Sequence, residues 1–110
     1  MKETGKKSLT LKTLSKSNVW DLQENDIFRM LEAAEKDADL KDNISHYAVI
    51  IRSAFDLEEI KIDKPEVIQK YESRDFKVTQ IRLDENNKLT WAIKKKLIMR
   101  VTDLTYENIR

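Results

Sequence analysis

Phe76-Lys77-Val78-Thr79-Gln80-Ile81-Arg82-Leu83, then Asp84-Glu85-Asn86-Asn87-Lys88, then Leu89-Thr90-Trp91-Ala92-Ile93: this stretch sets how the rest of the chain is read. Leu89, Trp91 and Ile93 alternate with Thr90, Ala92 and Lys94, the period of a strand with one apolar face. Phe76, Val78, Ile81 and Leu83 are the apolar members of the first run. Their phase changes between Val78 and Ile81, which predicts either a bulge or burial on both faces. The five polar residues between the runs are turn formers, so the whole reads as a β-hairpin.

Upstream, Asp63-Lys64-Pro65-Glu66 predicts a helix start. Asp63 supplies a cap acceptor, Pro65 suits the first turn, and Glu66 completes a capping-box spacing. Val67, Ile68 and Tyr71 give that helix its apolar face. Glu59-Ile60-Lys61-Ile62 alternates and predicts a short strand. Before it, Ile44, Tyr47, Ala48, Ile51, Ala54 and Phe55 recur at three- and four-residue steps, with Val49 and Ile50 widening the stripe. This is the pattern of a buried helix capped by Asn43. The β-branched run inside Tyr47–Ile51 also suits a strand, but the stripe continues through Phe55 and favours the helix. A further helix is expected from Asp21, with Glu24 at capping-box spacing and Ile27, Phe28, Leu31 and Ala34 on one face. Its opposite face carries Asp26, Glu32, Glu35 and Asp37.

Residues 1–17 are rich in Lys, Ser and Thr, and Leu9, Leu11 and Leu14 are their only large apolar groups. Ser8 to Lys12 alternates weakly like a strand, but the segment is assigned to a flexible basic arm. A single domain then covers 18–110. Leu97 to Val101 is compatible with a continuation of the sheet, and 102–110 is a weak terminal segment. The expected fold is α+β: two to three helices packed on a small antiparallel sheet with a C-terminal β-hairpin. Its expected core is Ile27, Phe28, Leu31, Tyr47, Ile51, Phe55, Ile60, Ile62, Val67, Ile68, Tyr71, Phe76, Val78, Leu89, Trp91 and Ile93.

Composition bounds the function classes. The 110 residues are 40% hydrophobic and 37% charged, enough apolar material for one modest core. There is no cysteine, which excludes disulfides and thiolate metal sites. The basic start is followed by no apolar run, so no secretory leader is expected, and no run approaches the roughly 20 residues that span a bilayer. The net charge of +1 conceals segregation. Residues 1–18 carry five Lys against one Glu, 21–42 carry eight acids against three bases, and 88–100 carry five bases and no acid. Such asymmetry marks either interaction surfaces or faces that complement one another within one fold.

The residues that could carry chemistry are few. His46 is the only histidine and lies beside the stripe of the second helix, where an exposed helical imidazole is the simpler reading. Asp42 lies one turn away, and Ser45 and Ser53 are near in sequence, but a metal site needs more ligands and no strained nucleophile turn is visible. Glu32, Glu35, Asp37, Asp39 and Asp42 could supply paired carboxylates for general acid–base work or a hard-cation site, the first four could face a protein partner, and more simply all of them solvate the face and end of a helix. Asp37-Ala38-Asp39 opens like a calcium loop but lacks its glycine and closing glutamate. Lys94, Lys95 and Lys96, with Arg100 and the arm residues Lys6 and Lys7, could form a patch for phosphate backbones near Trp91. Lysines on an edge strand also guard against sheet-to-sheet aggregation. No catalytic residue, metal or cofactor is expected.

The order helix, short strand, helix, strand, turn, strand ending at Trp resembles a pattern among small uncharacterised bacteriophage proteins. Glu59-Ile60-Lys61-Ile62, Pro65-Glu66-Val67-Ile68, Asp75-Phe76-Lys77-Val78 and Leu89-Thr90-Trp91 occupy its places, over roughly 44–95. The chain departs from it at Asp75, where the pattern prefers glycine and a positive φ is expected at a helix end. The resemblance implies a phage origin, and hence the host cytoplasm or a virion as location. The expectation is a protein-interaction or assembly module without catalytic activity, using Glu32, Glu35, Asp37 and Asp39 and binding a protein or a second copy of itself. The alternative is a nucleic-acid-binding accessory protein that uses the lysine run and the arm. No membrane is expected as a partner.

Overall fold

The computed structural model describes residues 9–97. Two short 3-10 turns, Leu11–Thr13 and Val19–Asp21, precede helix α1 (Glu24–Ala34) and helix α2 (Leu40–Arg52). Strand β1 (Phe55–Glu59), helix α3 (Pro65–Glu72), strand β2 (Lys77–Asp84) and strand β3 (Asn87–Lys95) follow. The fold is α+β, with an antiparallel sheet in the order β1-β3-β2.

The sheet is covered on both faces. One face carries Phe55, Leu57, Ile81, Trp91 and Ile93 into a large core with the two turns, α1 and α2. The other carries Ala92 and Val78 into a small cluster with Ile60, Phe76 and the half-buried α3 residues Val67, Ile68 and Tyr71. This explains the phase change in β2. Pairing with β3 runs unbroken from Lys77 to Arg82, so Val78 lies opposite Ala92 and Ile81 opposite Leu89. Val78 serves the small cluster and Ile81 the large core, which is burial on both faces; the register shift falls later, between Arg82 and Asp84. Asp84 pairs with Asn87, so the hairpin loop has two residues where five were expected. The Asp84 carboxylate accepts from the Asn86 backbone N–H at 2.8 Å and from the Asn87 amide at 2.7 and 2.9 Å. That ring of donors closes the turn.

Several boundaries differ from those expected. Residues 9–17 are not part of an arm: Leu11 and Leu14 are buried, at 2% and 5% exposure, so this stretch belongs to the folded body, and residues 1–8 lie outside the described residues. Helix α1 starts at Glu24, because Leu22 is extended and fully buried while Asp21 sits in a 3-10 turn. The capping role moves two residues on, and Asp26 accepts from the Gln23 N–H at 2.8 Å. Helix α2 starts at Leu40, which continues the stripe through Ile44, Tyr47, Ala48 and Ile51. Asn43 is therefore inside the helix, where its side chain donates to the Asp39 carbonyl at 3.0 Å. Val49, expected to widen the stripe, is 53% exposed, whereas Ile50 is buried.

The helix stops at Arg52, and Phe55 opens β1 instead. The first strand thus lies earlier than Glu59–Ile62, although the Ile60 N–H still donates to the Thr90 carbonyl at 2.8 Å. Ile62, expected in the core, is 61% exposed. The cap residue of α3 is Lys64 with Pro65 next, while Asp63 accepts from the Gln80 side chain at 3.0 Å.

The C-terminus of α3 shows why Asp75 sits where glycine is favoured. Its φ is 72°, the left-handed region. The Phe76 N–H donates to the Tyr71 carbonyl at 3.1 Å and the Asp75 N–H to the Glu72 carbonyl at 3.0 Å. These are the two bonds of a Schellman end, and the Phe76 and Tyr71 rings meet edge to face at 5.6 Å as its hydrophobic contact.

Candidate functional site

The lysine run at the end of β3 is held within the molecule. The two-residue period of the strand sends Lys94 and Lys95 to opposite faces. The Lys94 amine donates to the Arg74 carbonyl at 3.0 Å, just past α3, and lies 5.1 Å from the Phe76 ring centre. The Arg74 guanidinium lies 5.1 Å from the same centre. The Lys95 amine donates to the Trp20 carbonyl at 2.7 Å and to the Leu22 carbonyl, and lies 5.2 Å from the Phe55 ring centre. Its backbone N–H donates to the Glu24 carboxylate at 2.9 Å. The Lys96 amine donates to the Arg52 carbonyl at 2.7 Å, at the end of α2. Each amine therefore meets carbonyls where a turn or helix leaves them without main-chain donors, and two of them sit favourably at helix C-termini. The expected phosphate-binding patch is not assembled from these three. Arg100, Lys6 and Lys7 lie outside the described residues.

The acidic residues do not converge either. Glu32 and Asp37 are exposed. Glu35 reaches across to β2 and accepts from the Arg82 backbone N–H at 3.0 Å, covering part of an edge strand. Asp39 pairs with Lys12 at 3.5 Å. Lys41 pairs with Asp84 at 3.1 Å, tying α2 to the hairpin turn. The donors around Asp84, chiefly the Asn87 amide and then the Asn86 N–H and Lys41, lower its pKa to about 2. Glu58 beside Tyr71 accepts from the phenol and raises its pKa. His46 is exposed beside the Tyr47 ring, and the Ser53 hydroxyl donates to the Ile50 carbonyl at 2.6 Å. Among the described residues, no group of three or more His, Cys, Asp or Glu side chains could hold a metal ion. No helix among them is long and apolar enough to cross a membrane.

What sequence reasoning missed is a half-open cleft of about 760 Å³ between the N-terminal turn and α1. Leu9, Leu11, Met30, Ala33 and Ala34 supply its apolar surface, and Lys12, Asp26, Arg29 and Asp37 its charged border. On α1 the lining positions recur at three- and four-residue steps, so the cleft follows a stripe along the helix. That stripe stays open because Ala33 and Ala34 end at their Cβ atoms. The signal in the sequence is the weak alternation at Leu9 and Leu11. A second, polar depression of about 460 Å³ lies between α1 and β2, beside Phe28, Glu32, Glu35 and Gln80. Compared with known proteins, the chain matches no family model, no curated protein and no solved structure.

Proposed function

We propose that this chain is a protein-interaction module that docks an apolar segment of a partner in the cleft between the N-terminal turn and α1. The observation that carries the reading is the cleft itself, an apolar stripe framed by charges of both signs on a small body. Its volume falls within the range of binding pockets, and an apolar floor with a charged rim is the usual anatomy of a docking face. The resemblance to small bacteriophage proteins supports a phage setting for this docking, in host takeover or virion assembly. The acidic residues Asp37 and Asp39 stand at the same end of α1, near the border of the cleft. The nucleic-acid alternative draws less support, because the three central lysines are already donating to main-chain carbonyls.

Ala33 is exposed on α1, so Ala33→Arg fills the cleft without disturbing the core. The expected result is a partner captured by the wild-type chain and lost by A33R at unchanged melting temperature. A partner that binds both equally overturns the assignment of the cleft. Salt-sensitive binding of labelled DNA or RNA by the wild-type chain would restore the alternative.

A further inference from the structure

We infer that the occupant of the cleft is an amphipathic helix of the partner, two to three turns long, with an apolar ridge for the floor and a lysine or arginine for Asp37. As the identity of the docked segment, this rests on the docking reading above.

The walls decide the backbone form of the occupant. One wall is α1, whose main-chain groups are spent within the helix. The other is a 3-10 turn. There the Thr13 N–H donates to the Thr10 carbonyl at 3.1 Å, the Leu14 N–H to the Leu11 carbonyl at 3.3 Å, and the Thr10 N–H to the Thr13 hydroxyl at 3.0 Å. Neither wall is a strand, so an extended segment finds no edge to pair with and would lay unpaired peptide groups on an apolar floor. That floor is Leu9, Leu11, Met30, Ala33 and Ala34, without the aromatic rings on which proline-rich segments stack. A helix brings its peptide groups already bonded and presents only side chains.

Shape and charge agree with a helix that carries a cation. From Asp26 to Ala34 the lining stripe covers about 12 Å of α1, a little over two turns. Ala33 and Ala34 end at their Cβ atoms, which admits a second helix axis at about 8 Å, the near end of the range for packed helices. Met30 is unbranched and conforms to the ridge laid on it. On the border, Arg29 pairs with Asp26, and Lys12 with Asp39 at 3.5 Å. Asp37 is exposed and forms no ion pair among the described residues. It stands just past the C-terminal end of α1, where the helix carbonyls add negative potential. The charge that the border leaves uncompensated is therefore negative, and a basic side chain on the partner complements it.

Two peptide libraries of equal composition test this by selection against the full chain, one closed into helices by side-chain staples and the other held extended in cyclic hairpins. Ligands are expected from the stapled library, with apolar residues at three- and four-residue steps and a lysine or arginine at one end. They should shift the amide signals of Leu11, Met30, Ala33 and Ala34, leave Val49 and Ile68 unmoved, and lose binding to A33R. Asp37→Lys, at unchanged melting temperature, is expected to weaken these ligands by about fivefold and to favour their glutamate counterparts by a similar factor. Ligands that come from the extended library and are lost with A33R leave the docking reading standing and overturn this one. Helical ligands that are lost with A33R but indifferent to Asp37→Lys overturn it as well. If neither library yields a ligand sensitive to A33R, both readings fall.

Discussion

The two faces of the sheet are built on different terms. The face toward α1 and α2 is closed by fully buried side chains from the second turn, both of those helices and all three strands, among them Val19, Leu22, Ile27, Leu40, Ile51, Phe55, Ile81 and Ile93. The face toward α3 has three buried residues, Ile60, Phe76 and Ala92, and α3 itself buries none. It relies on a Schellman end, an edge-to-face ring pair and two cations at the Phe76 ring. The first face is held by desolvated area and the second by a few directional contacts around one aromatic. α3 should therefore be the first element to open, and the large core should outlast it.

That contrast can be broken from its strong side first. Ile93→Ala removes a fully buried side chain from the central strand and is expected to cost about 3–4 kcal/mol in chemical denaturation. A loss no larger than that of an exposed substitution would mean the main face is loosely packed. Next comes the lysine run. Lys95→Met leaves the Trp20 and Leu22 carbonyls without their amine and is expected to cost about 2 kcal/mol. Lys94→Met and Lys96→Met, at more exposed helix ends, should each cost under about 1 kcal/mol. Equal losses at all three would erase the difference between the faces.

A gain is expected on the weak side. Asp75→Gly relieves a left-handed residue and should stabilise by about 0.5–1 kcal/mol, with hydrogen exchange slowed mainly in α3. The smallest effect is acidic. The folded pKa of Asp84, about 2, lies below the ordinary 3.8, so its contribution is present above pH 3.8 and is lost as pH falls toward 2. Asp84→Asn should flatten that part of the stability profile, and an unchanged profile would show that the turn does not depend on the charge.

Much of this architecture was legible because its signals were local. The stripe of Ile27 and Leu31, the hairpin strands and the positive φ at Asp75 all follow from periodicity or turn chemistry. What failed depended on tertiary context. The stripe through Ala54 and Phe55 is continuous, yet the chain leaves the helix at Arg52, and Phe55 reaches the same core from a strand. Ile60 and Ile62 look alike in sequence, but only Ile60 keeps a bond to β3 and enters the cluster. The inward place of one member of the lysine run is implicit in the strand period: the phase that turns Leu89, Trp91 and Ile93 inward carries Lys95 inward too. Nothing local in 19–23 announces that its carbonyls will meet an amine 75 residues away. The cleft was hidden because Leu9 and Leu11 stand alone in a polar stretch and find their partners only on α1.

The order β1-β3-β2 has a consequence for synthesis. The middle strand is the last of the three to leave the ribosome, and until it emerges neither of the other two has a neighbour to pair with. The carbonyls at Trp20 and Leu22 wait just as long for Lys95. Closure of the body is thus gated by translation of one late segment, and a nascent chain halted at the hairpin turn would expose its helices and two orphan strands to chaperones.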